Sequence, residues 1–64
     1  MKAKTIDEAK KLAKAYSYKK ENEDVEVYII YCNRSELYYV DTDSFIRLWE
    51  QIAGYYVNGL YTEY

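Results

Sequence analysis

Two carboxylates one residue apart, Asp41 and Asp43 in Tyr39-Val40-Asp41-Thr42-Asp43-Ser44, are the side chains best placed by spacing to do chemistry. Such a pair, completed by phosphate oxygens, is what a hard six-coordinate cation takes. Few other groups are on offer. The 64 residues contain no histidine and one cysteine, Cys32, so zinc fingers, thiol–imidazole pairs and serine–histidine triads cannot be built. Gly54 and Gly59 are the only glycines and neither precedes a Lys-Ser or Lys-Thr pair, which excludes a phosphate-binding loop. Cys32 has no neighbour in sequence that would activate it and reads as a small hydrophobe beside a turn.

The six residues Tyr39 to Ser44 resemble the Tyr-x-Asp-Thr-Asp-Ser signature of family B DNA polymerases, whose aspartates hold catalytic magnesium at a β-hairpin tip. That resemblance implies metal-binding roles for Asp41 and Asp43. It covers six residues, and the chain has no room for a template channel or a nucleotide-binding helix. Read for themselves, the residues are a strand end followed by Asp and Ser capping the N-terminus of a helix. Capping is the reading adopted, so no catalytic residue, metal or cofactor is expected.

Charge is unevenly distributed around a net of −2. Residues 1–20 hold seven lysines against Asp7 and Glu8, a net of +5, whereas residues 21–64 hold two arginines against nine acids, a net of −7. Lys10, Lys11 and Lys14 offer phosphate contacts for a weak nucleic-acid-binding module, the alternative function. The strands that carry the tyrosines also carry Glu26, Glu36 and Asp41, which repel a phosphate backbone, so nucleic acid is the less favoured partner. With no apolar leader, one cysteine and no apolar run approaching ~20 residues, the chain reads as cytoplasmic, without membrane contact.

The elements that must position these groups follow from periodicity. Ile6, Ala9, Leu12, Ala13 and Tyr16 share one arc of a helix over about Ile6–Tyr18, started by a Thr5/Glu8 capping box. Lys19–Asp24 is a charged connector. Val25–Cys32 and Glu36–Val40 are rich in β-branched and aromatic residues and form a hairpin about Asn33-Arg34-Ser35, with the register open between a two- and a three-residue loop. From Phe45 onward, Phe45, Leu48, Trp49, Ile52, Tyr55 and Tyr56 follow helical spacing, which predicts a second helix to Asn58. A competing reading ends that helix at Gly54 and makes Asn58-Gly59 a type I′ turn between two short strands.

The expected fold is therefore a single α+β domain, helix–β-hairpin–helix (αββα), with a short C-terminal strand as an option. Ten tyrosines exceed what so small a core can enclose, and the second helix has an apolar arc of about 200°, twice what one sheet contact uses. Phe45, Trp49 and Ile52 are expected in the core; Ile46 and Val57 lie at the edge of the arc. Tyr31, Tyr38, Tyr39, Ile46 and Val57 are the expected interaction surface. The function expected is a non-enzymatic interaction or regulatory module, adaptor or inhibitor, that binds a protein partner or forms a homodimer.

Overall fold

A computed structural model describes all 64 residues. It is an α+β fold with one helix packed on a five-stranded antiparallel sheet. The elements are β1 (Lys2–Ala3), α1 (Ile6–Ser17), a 3-10 turn (Lys20–Asn22), β2 (Val27–Cys32), β3 (Leu37–Asp41), β4 (Glu50–Val57) and β5 (Leu60–Glu63). The strands lie in the order β1-β3-β2-β4-β5.

The capping signal of α1 is real. Thr5 is extended, and its Oγ1 accepts a hydrogen bond from the Glu8 N–H at 3.2 Å. Ala9 and Ala13 are fully buried with Val27, Ile29, Val40 and Tyr56, and Ile6, Leu12 and Tyr16 pack at the edge of that core. Small alanines on the helix let it sit close to β-branched residues of β2, the central strand. The helix end is tied down by polar groups that periodicity does not mark. Ser17 Oγ is buried, donates to the Lys14 carbonyl at 2.7 Å and accepts from the Gly59 N–H at 2.9 Å. Asn22 Nδ2 donates to the Tyr16 carbonyl at 2.9 Å.

The β2–β3 hairpin pairs Cys32 with Leu37 and Tyr28 with Asp41. Its loop has four residues, Asn33 to Glu36, and Glu36 takes the left-handed conformation at φ 58°. Both loop lengths left open by the sequence are thus superseded.

The second helix does not exist. Residues 50–57 are strand β4, which turns through Asn58 (φ 49°) and Gly59 (φ 83°) into β5. Positive φ at both central residues is the type I′ geometry that suits a two-residue hairpin. The αββα arrangement is corrected accordingly to β1–α1–β2–β3–β4–β5, and of the competing reading the Asn58-Gly59 turn holds, without the helix to Gly54 before it. Phe45, expected in the core, is 78% exposed, as is Leu48 of the same predicted helix at 102%, and Trp49 and Ile52, also expected in the core, are half-buried.

Once residues 50–57 pair with β2, distance also excludes a helix from the segment before them. Strands β3 and β4 both run antiparallel to β2 and flank it, so residues 42–49 must cross over β2. Asp41 lies beside Tyr28 and Glu50 beside Cys32. That separation is ~13 Å along the sheet and ~10 Å across it, a diagonal of about 16 Å. Nine helical steps advance only ~13 Å, before any climb over the sheet face. The crossover runs irregularly across the face opposite α1, where Ser44 lies beside the Tyr28 hydroxyl. On this face, away from the helix-side core, Ile30 is only 1% exposed.

Candidate interaction surface

The crossover is held at both ends. At its start, Asp41 Oδ1 accepts from the Asp43 N–H at 3.1 Å and Asp43 Oδ1 accepts from the Phe45 N–H at 2.9 Å. These are successive Asx turns, in which a short carboxylate substitutes for a turn carbonyl. The two aspartates thus bond backbone N–H groups as expected, but in an irregular segment and not at a helix N-terminus. They also do not occupy a hairpin tip: Asp41 ends β3 and Asp43 lies in the crossover.

At the far end, Glu50 is buried and organises the return to the sheet. Its Oε1 accepts from the Arg47 N–H at 2.8 Å, its Oε2 accepts from the Tyr39 hydroxyl, and the Arg47 guanidinium stands 3.7 Å away. The Asn33 N–H donates to the Trp49 carbonyl at 2.8 Å, and the Arg34 guanidinium stacks 3.6 Å from the Trp49 ring centroid. Between these anchors Phe45 and Leu48 point away from the protein, while Ile46 is half-buried. Helical spacing predicts Phe45 inward; in the irregular crossover it faces water instead.

Burial, and then the hydrogen bond to Glu50, push the Tyr39 hydroxyl up to about 12. The Tyr39 hydroxyl, and then the Arg47 N–H, hold the Glu50 carboxyl below its ordinary range. Linkage gives both signs. Tyr39 keeps its proton longer when folded, so its contribution is whole below pH ~10 and is lost as pH rises toward 12. Glu50 stays ionised longer when folded, so its contribution is whole above pH ~4.3 and is lost as pH falls through the lowered value. Tyr39→Phe should therefore raise the Glu50 carboxyl titration seen by NMR and reduce the alkaline loss of stability in urea melts. Part of that loss should persist, because the Tyr28, Tyr56 and Tyr61 hydroxyls are also raised.

The tyrosines divide between the faces. Tyr31 and Tyr38 pair across β2 and β3, with ring centroids 4.9 Å apart, on the face that carries α1. Tyr39 and Val57 lie on the other face, each half-buried, Tyr39 engaged with Glu50 and Val57 opposite Leu60. Tyr31, Tyr38, Tyr39, Ile46 and Val57 are therefore not brought together. A second aromatic row, Tyr28–Tyr55–Tyr64, has centroid spacings of 5.7 and 6.5 Å on the crossover side. Tyr28 donates to Glu26 Oε1 at 2.6 Å. Asp41, Asp43 and Glu26 are exposed there, and the molecule's single ion pair is Arg47–Glu50.

The lysines of α1 lie on the opposite side. Lys11 and Lys14 are exposed, but Lys10 turns toward the sheet, with Nζ 4.6 Å from the Tyr61 ring centroid. Cys32 is half-exposed beside Leu37 and Glu50, and hydrogen bonding from Ser35 lowers its thiol. No helix is long and apolar enough to cross a membrane. No protein-family model, curated protein or solved structure matches the chain.

Proposed function

We propose that the chain is a non-enzymatic protein-interaction module, an adaptor or inhibitor, whose contact surface is the outer side of the crossover. The observation that carries this reading is the exposure of Phe45 and Leu48, 78% and 102%, on a segment pinned at both ends by hydrogen bonds. An exposed loop tip is normally polar, and large apolar side chains held rigidly in water mark contact sites. Pinning lowers the ordering cost of binding. The acids Asp41, Asp43 and Glu26, none of them in an ion pair, lie beside the tyrosine row and suit a partner with an apolar depression and a basic rim. Both aspartates of the polymerase-like motif serve this loop, since each bonds a backbone N–H within it.

The test compares Phe45→Ala/Leu48→Ala with the wild-type chain. Stability should change by no more than ~0.5 kcal/mol, as at other exposed sites. Crosslinking in lysate should lose the partners that the wild type retains. A double variant that captures the same partners, or that unfolds, would remove the crossover from the binding surface.

A further inference from the structure

The two edges of the sheet are not equally protected. The β1 edge is two residues long, contains Lys2 and is followed by Lys4, and short charged edges resist pairing with other chains. Strand β5, Leu60-Tyr61-Thr62-Glu63, has no lysine, proline or bulge, and it pairs only with β4. Alternation fixes which of its backbone groups are free. Tyr64 N–H donates to the Ala53 carbonyl at 3.2 Å, so Leu60, Thr62 and Tyr64 direct their backbone groups toward β4. Those of Tyr61 and Glu63 point outward, unpaired.

We propose that two copies of the chain pair antiparallel through β5, joining their sheets into one about a two-fold axis at Thr62. The register follows from self-complementarity. With Thr62 opposite its own symmetry mate, Tyr61 and Glu63 face each other twice, and their outward groups form about four main-chain hydrogen bonds. On the crossover side, Leu60 of each copy then meets Tyr64 of the other. These are two of the most exposed apolar side chains in the protein, 76% and 73%, and each covers the other. On the helix side, Glu63 of one copy comes beside Tyr61 of the other, where Lys10 already lies against the ring. Lys10 and Glu63 have no ion-pair partner within their own chain and meet across the axis. The next register, centred on Tyr61, sets Leu60 against Thr62 and leaves both Tyr64 rings bare. An isologous contact of this kind closes at two copies.

The contact is a short edge, so a weak, concentration-dependent dimer is expected. Sedimentation velocity over about a hundredfold concentration range, centred in the micromolar region, should move from monomer to dimer. Glu63→Pro removes an outward N–H that β4 does not use and should leave a folded monomer by circular dichroism. Glu63→Lys should weaken dimerisation at least tenfold, and Lys10→Glu/Glu63→Lys should restore it; this pair carries the test if the proline variant fails to fold. Phe45→Ala should leave the dimer intact, which separates this contact from the crossover surface. A monomer at every concentration would overturn the proposal. So would a dimer unaffected by Glu63→Lys, or one abolished by Phe45→Ala.

Discussion

Replacing Gly54 with alanine should destabilise the protein by about 1–3 kcal/mol, the usual cost of overpacking a closed site. A Cβ at Gly54 would lie 2.7 Å from the Thr62 carbonyl oxygen and against the Tyr61 ring. The ring covers this glycine, with Tyr61 Oη donating to the Ala53 carbonyl at 3.4 Å. The sign of the effect is diagnostic. Were residues 45–58 helical, Gly54→Ala would stabilise by roughly 1 kcal/mol through backbone propensity alone. Urea unfolding of the two proteins decides between these outcomes, and a more stable alanine variant would contradict strand β4. Adding Tyr61→Leu to Gly54→Ala should recover part of the loss but not all, because the carbonyl contact remains.

Ile29→Ala should have the larger effect and leave the domain mostly unfolded at room temperature. Ile29 is fully buried at the centre of the sheet, between Val40 and Gly54 and beneath the helix. Truncating a buried isoleucine costs about 2–5 kcal/mol, and a core of this size supplies only about 3–5 kcal/mol in total. Circular dichroism should show loss of the cooperative thermal transition. Phe45→Ala, a larger truncation by volume, should leave that transition nearly in place because the ring packs against little. If Phe45→Ala unfolded the protein and Ile29→Ala did not, the core would lie on the crossover side.

The local signals that the sequence carries are those decided within a few residues. Thr5 and Glu8 start a helix because a hydroxyl three residues before an N–H can satisfy it whatever the rest of the chain does. Ile6, Ala9, Leu12, Ala13 and Tyr16 then mark its inner face. Val27–Cys32, β-branched or aromatic at five of its six positions, favours a strand and forms one. Asn58-Gly59 permits two successive positive φ values, and the chain uses both. Ser17 and Asn22 gave no signal, because their partners, Gly59 N–H and Tyr16 carbonyl, depend on chain reversal.

Residues 45–57 could not be read in the same way. A strand declares itself by alternation, and β4 does not alternate. Ile52 pairs with Ile30 and Gly54 with Ile29, so Ala53 is an extra residue that slips the pattern by one. Apolar groups also lie on both faces, one under α1 and the other toward the crossover. What remains in the sequence is an apolar spacing that matches a helix by coincidence. Tertiary structure decided otherwise: β4 fills the open edge of β2, and the eight residues before it must reach diagonally across that strand. A helix is too short for that span, so the segment is drawn out, and Phe45 and Leu48 are left facing water.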